Sequence, residues 1–153
     1  MQVDIVERPG RHLAAIRHVG PYHEIGRAFG QMSAIAGAAG LLQWPGAEML
    51  AVFYDDPTTT PAAELRSDAA VSLPDGFAAP DGLTERELPA GRYAHATHIG
   101  GYEGLPQAWQ ALRDWLPNSG ERRGQGPSYE HYVSDMATTP KDQLRTDLYV
   151  PLA

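Results

Sequence analysis

This chain repeats itself, and the repeat limits its fold more than any other feature. Shifted by 80 positions, Pro9 meets Pro89, Ala14 meets Ala94, His18 meets His98, Gly20 meets Gly100 and Tyr22 meets Tyr102. Ala28 then meets Ala108, Phe29 meets Trp109 and Met32 meets Leu112. A second block agrees at a shift of 79. Thr59-Thr60-Pro61 falls on Thr138-Thr139-Pro140, and Leu65-Arg66-x-Asp68 falls on Leu144-Arg145-x-Asp147. Two blocks at nearly one offset, matching His, Tyr, Arg and Asp, mark a duplicated unit.

Each half reads alike. A short strand (2–7, 83–88) runs through a Pro turn into a second strand (11–18, 92–99). His-Val-Gly-Pro-Tyr and His-Ile-Gly-Gly-Tyr break those strands. Tyr22, Ile25, Phe29, Met32 and Ala36 then recur at helical spacing, as do Leu105, Ala108, Trp109, Leu112 and Leu116. Pro106 suits a first helical turn, and Gly37, Gly40, Pro117 and Gly120 mark the ends. Strands at 49–55 and 68–73, and at 128–135 and 147–152, close the halves. The expected unit is β-β-α-β-β, twice: halves 1–73 and 84–153, joined by a Pro- and Gly-rich linker, 74–83. One such unit buries little alone, so the two are expected to merge into a single α+β domain.

Composition narrows the function. A net charge of −7 repels phosphate, so direct nucleic-acid binding is not expected. The absence of cysteine removes thiolate nucleophiles and thiolate zinc sites. No apolar signal core and no apolar run near 18 residues is present, so a cytoplasmic protein with no membrane partner is expected. Six histidines invite a metal, but the spacing opposes one. His95 and His98 face opposite sides of a strand, while His12 and His18 share a face about 20 Å apart at roughly 3.3 Å per residue. His18 and His98 are read as capping the same turn in each half. No phosphate loop, dinucleotide fingerprint or Gly-x-Ser-x-Gly is present, so neither a cofactor nor a metal is expected.

Several segments together resemble one family. They are Phe53-Tyr54-Asp55-Asp56-Pro57, Pro-x-x-x-Leu-Arg-x-Asp in both halves, and His98-x-Gly100-x-Tyr102 before a helix. Tyr129-Glu130-x-Tyr132 and the closing Asp147-Leu148-Tyr149-Val150-Pro151-Leu152 complete the set. Over nearly the whole chain these resemble the GyrI-like small-molecule-binding domain, a stand-alone relative of the effector-binding domains of AraC- and MerR-type regulators. The resemblance implies tandem SHS2-type modules, one curved antiparallel sheet with two helices, and a central cleft that takes amphipathic, often cationic compounds in the manner of multidrug binding.

Glu130 is the foremost site candidate. On an alternating strand it shares a face with Tyr132, and its repeat partner is Ala51. One half thus carries a carboxylate where the other carries a methyl group. A buried carboxylate needs a cation or a proton, and the resemblance implies the cation. Tyr22, Tyr102, Trp109, Tyr132 and Tyr149 are the aromatic candidates to surround it, with cation–π contributions of about 0.5–2 kcal/mol each. Trp44 is read as a loop aromatic over the mouth of the cleft. Arg66/Asp68 and Arg145/Asp147 recur in both halves, which argues for structural ion pairs.

The expected function is non-catalytic binding or sequestration of an amphipathic, cationic aromatic molecule. The alternative drawn from the resemblance is a hydrolase of reactive cyclopropane-type DNA alkylators, with Glu130 as general base. A third is an acidic protein that acts on DNA gyrase as its partner.

Overall fold

The computed structural model describes all 153 residues. Its eight strands are β1 (Asp4–Arg8), β2 (Arg11–Val19), β3 (Met49–Phe53), β4 (Arg66–Ser72), β5 (Thr84–Leu88), β6 (Gly91–Ile99), β7 (Ser128–Tyr132) and β8 (Arg145–Pro151). The two helices are α1 (Gly26–Ala38) and α2 (Leu105–Trp115). A single 3-10 turn precedes each helix, at Tyr22–Glu24 and Tyr102–Gly104. The fold is α+β, and every assigned strand pair is antiparallel. No helix is long and apolar enough to cross a membrane.

The chain divides into two units, and their boundaries differ from those of the sequence repeat. The N unit is Gly10–Pro89; the C unit is Met1–Pro9 with Ala90–Ala153. Strands run in the order β3-β4-β2-β5 in the N unit and β7-β8-β6-β1 in the C unit. The first strand of each repeat has therefore been exchanged. β1 pairs with β6, Asp4 opposite His95, and β5 pairs with β2, Arg11 opposite Leu88. The reason lies in the connections. Two-residue hairpin loops need positive φ at their first position. Proline, locked near −65°, cannot supply it, and Pro9 and Pro89 stand at that position in the two connections. A tight hairpin is denied in both repeats.

Within each unit the even-numbered positions of the second strand face the helix. In the N unit Ala14 packs with Ala28, Met32, Ala36, Leu41, Ala69, Val71 and Leu73. In the C unit Ala94 and Ala96 pack with Leu105, Ala108, Leu112, Leu148 and Leu152. Small residues on the strands let the helix lie close to the sheet. Residues 74–83, read as a linker, behave differently: Ala79 and Leu83 pack onto the N-unit core. The segment belongs to that unit's packing rather than hanging free between halves.

Candidate ligand-binding site

Strand β7 presents Glu130 and Tyr132 to the helix side and Tyr129 and His131 to the other. Register places Glu130 opposite Leu148 and Tyr132 opposite Thr146 on β8, with His98 of β6 on the far side of Thr146. Helix α2 brings Trp109 over this row. Its indole Nε1 donates to Glu130 Oε1 at 2.6 Å, and the Tyr132 hydroxyl donates to Glu130 Oε2 at 2.5 Å. Each carboxylate oxygen thus receives one hydrogen bond. Tyr102, at the start of the 3-10 turn, stands edge-on to Tyr132 with ring centroids 5.4 Å apart.

Glu130 is only 4% exposed. Burial pushes its carboxyl above the ordinary 4.5, and the bonds from Tyr132 and Trp109 pull partly back. Burial and the nearby Glu130 charge push the Tyr132 phenol well up, and burial does the same more mildly for Tyr102. These shifts are what a carboxylate held inside apolar rings produces. A further pair of residues completes the local frame. His98 Nε2 bonds the Gly101 carbonyl at 2.9 Å, as His18 Nε2 bonds the Pro21 carbonyl at 3.0 Å, so each histidine does cap its turn.

The other repeat provides an internal comparison. Positions matching Tyr102, Trp109, Glu130 and Tyr132 are Tyr22, Phe29, Ala51 and Phe53. Tyr22 packs on Phe53 at 4.7 Å, and its hydroxyl donates to the Asp55 carbonyl at 2.6 Å. The same framework is apolar in the N unit and acidic in the C unit.

The model of the GyrI-like small molecule binding domain matches residues 1–153. The chain belongs to the GyrI-like family. A DNA gyrase inhibitor of Yersinia enterocolitica is 36% identical over 142 residues, covering 88% of either chain. One from Erwinia billingiae is 29% identical over 163 residues, covering 100% of this chain and 98% of the relative. Among solved structures, the EcmrR C-terminal domain superposes with a TM-score of 0.79 at 18% identity, covering 99% of this chain and 97% of that one. SAV2435 bound to tetraphenylphosphonium gives 0.75 at 15% identity, covering 100% and 94%. A hydrolase from Listeria innocua gives 0.69 at 12% identity, covering 99% and 92%. These structural likenesses establish the GyrI-like fold.

Against this GyrI-like frame, the structure brings together four of the sequence candidates: Glu130, Tyr132, Trp109 and Tyr102. Tyr149 does not join them. It lies opposite Tyr129 in the register, so its ring points to the other face of the sheet from Glu130. There it stacks on Tyr129 and His95, each at 4.9 Å, with the Arg8 guanidinium 4.3 Å from its centroid. Tyr22 belongs to the N unit and its Asp55 contact. Trp44 packs against the α1 core and donates its indole N–H to the Ser72 carbonyl at 3.1 Å. It lines a separate N-unit cavity of about 460 Å³ with Arg11 and Glu48.

The recurrent Arg-x-Asp pairs diverge. In the C unit Arg145 grips Asp147 at 3.0 Å, joined by Thr97 at 2.9 Å. Burial would raise Asp147, but these bonds hold it below the usual 3.8. In the N unit Arg66 does not pair with Asp68; it binds Asp55 at 2.9 Å. Asp68, fully buried, is held instead by Arg17 at 2.7 Å, Arg86 at 3.0 Å and the Tyr54 hydroxyl at 2.7 Å. Burial and this bond push Tyr54 up to about 12. The cause is local: Asp55 is matched by Ser134, which accepts the Arg145 backbone N–H but offers no charge. Arg145 therefore turns to Asp147. Arg86 reaches Asp68 from the exchanged strand β5, a partner no local pattern reveals.

Proposed function

We propose that this protein binds lipophilic organic cations at the Glu130 cluster without transforming them. The observation that carries this reading is a carboxylate buried beneath Trp109, Tyr102 and Tyr132 in one repeat, where the other repeat holds Ala51. An uncompensated buried charge is expensive to maintain. A bound cation offsets that cost, and aromatic faces stabilise it further where water is excluded. Membership in a small-molecule-binding family supports the reading, as does the bound tetraphenylphosphonium of SAV2435.

Hydrolysis with Glu130 as general base has weaker physical support. Burial raises the carboxyl overall, the hydrogen bonds from Tyr132 and Trp109 pull it partly back, and those bonds already engage both of its oxygens. The test is a titration with tetraphenylphosphonium followed by tryptophan fluorescence. Saturable quenching is expected, and equally tight binding to Glu130→Gln overturns the assignment.

A further inference from the structure

We propose that the Gly100–Gly104 segment is a gate over Glu130, with Tyr102 as its moving leaf and the Glu103–Lys141 ion pair as its clasp. The proposal rests on the reading of Glu130 as the ligand carboxylate and concerns how a ligand reaches it.

The first argument is access. Glu130 is 4% exposed and closed in by Trp109 and Tyr132. A cation with aromatic substituents cannot reach the carboxylate unless a covering group moves. Trp109 sits in the middle of α2, held by the packing of Leu105, Ala108 and Leu112. Tyr102 sits instead on a single 3-10 turn, anchored by the His98 bond to the Gly101 carbonyl. It is half-buried, and its contact with this cluster is the edge-on packing against Tyr132.

The second argument is flexibility placed in one repeat only. The C unit reads Gly100-Gly101-Tyr102-Glu103-Gly104, and the N unit reads Gly20-Pro21-Tyr22-His23-Glu24. Gly100 and Gly20 both need positive φ, at 128° and 135°, so that glycine belongs to the shared fold. Gly101 and Gly104 have negative φ, −64° and −85°, so no left-handed backbone calls for them, although a Cβ on Gly104 would stand 2.7 Å from His98 Cε1. Their matches are Pro21 and Glu24. A proline narrows the backbone choices of its segment, whereas glycine widens them.

The third argument is the clasp. Lys141 Nζ meets Glu103 Oε1 at 2.9 Å, joining the turn that carries Tyr102 to the Lys141–Gln143 turn before β8. The pair lies directly over Gly101, where a Cβ would stand 2.3 Å from Glu103 Oε2 and 2.5 Å from Lys141 Cε. In the N unit the matching residues are His23 and Ala62, which form no such pair, and Tyr22 is anchored by Asp55 instead. Hinge, clasp and carboxylate thus occur together in one repeat and are replaced together in the other. An exposed ion pair is weak and salt-sensitive, which suits a contact that must open repeatedly.

The test uses matched backbone amides. The Gly104 N–H donates to the Gly101 carbonyl at 3.1 Å, and the Glu24 N–H donates to the Pro21 carbonyl at 3.0 Å. In the ligand-free protein, hydrogen exchange should show lower protection at Gly104 than at Glu24. Lys141→Ala should reduce Gly104 protection by roughly two- to fivefold and leave Glu24 unchanged, as expected for losing an exposed ion pair. The Glu103→Lys/Lys141→Glu double variant should restore it. In stopped-flow mixing with tetraphenylphosphonium, Lys141→Ala should raise the association and dissociation rates together. Equal protection at Gly104 and Glu24, unmoved by Lys141→Ala, overturns the gate even if the cation binds. Loss of the Glu130 dependence of binding overturns the ligand reading instead, while the exchange result still decides whether the segment opens.

Discussion

The indole of Trp109 donates to Glu130 across 2.6 Å, and the residues at the same two positions of the other repeat are Phe29 and Ala51. Donor and acceptor are present together in one repeat and absent together in the other. A buried carboxylate without donors is strongly unfavourable, and a buried indole N–H without an acceptor is unfavourable too. Trp109→Phe should therefore destabilise the fold by about 1–3 kcal/mol, the usual range for orphaning a buried acceptor. It should also push the Glu130 carboxyl further up. Chemical denaturation at neutral pH measures the first effect, and an unchanged unfolding midpoint contradicts it.

Glu130 and Asp147 should shape stability in opposite pH ranges. Burial raises Glu130 in the folded state, so its contribution is fully present below 4.5 and is lost as pH rises through the folded value. Asp147 is lowered, so its contribution is present above 3.8 and is lost as pH falls. Glu130→Gln should therefore gain on the natural protein as pH rises from 4.5 to the folded value of Glu130 and keep a constant lead above it, while both lose stability in stronger acid. Thermal unfolding across the acid-to-neutral range checks this. Parallel melting curves for the two proteins above 4.5 would count against a buried, raised Glu130.

Cation binding should follow the same ionisation. Tetraphenylphosphonium affinity should fall in acid as Glu130 takes up its proton. Glu130→Gln should weaken binding by roughly 30-fold or more at neutral pH, as expected on removing a desolvated charge partner. Its remaining weak binding should not vary with pH. Fluorescence titrations at several pH values separate these outcomes.

Asp68 should matter more than a single ion pair with Arg66 would. Asp68→Ala leaves Arg17, Arg86 and the Tyr54 hydroxyl without their shared acceptor. A loss of about 3–5 kcal/mol is expected for breaking a buried charge network. The two arginines are 31% exposed and recover some solvation, which places the effect near the lower end. Arg66→Ala, on the exposed Asp55 pair, should change stability little. Equal effects of the two substitutions would contradict this division.

The N unit offers a constructive test. Ala51→Glu alone should destabilise the protein strongly, because a carboxylate there meets Phe29 and Phe53 rather than donors. Adding Phe29→Trp and Phe53→Tyr should recover part of that loss by rebuilding the two hydrogen bonds. Stability of the single and triple variants, read side by side, decides whether the framework alone accommodates the cluster.

What the sequence determined by itself was the local pattern and its duplication. Alternation and helical spacing placed all eight strands and both helices within a few residues, because those periods depend only on neighbours along the chain. Ala51 against Glu130 was equally plain, since an alignment of the repeat displays any broken symmetry. The helix was expected from Tyr22, yet it begins at Gly26 after a 3-10 turn, where Gly20 and Pro21 redirect the backbone.

Tertiary structure decided the rest. Pairing of β1 with β6 and of β5 with β2 is a choice among distant partners, and the sequence carries only its negative half: Pro9 and Pro89 forbid the tight hairpin. The partners of Asp68 followed from that exchange, since Arg86 arrives on β5. Which face of β8 meets α2 separated Tyr149 from Glu130, a question of register rather than residue type. Burial of Glu130 likewise came from long-range packing, with Trp109 delivered by a helix 21 residues away in sequence. Periodicity is a property of adjacent residues, whereas strand order, register and burial depend on free energies summed over the folded whole.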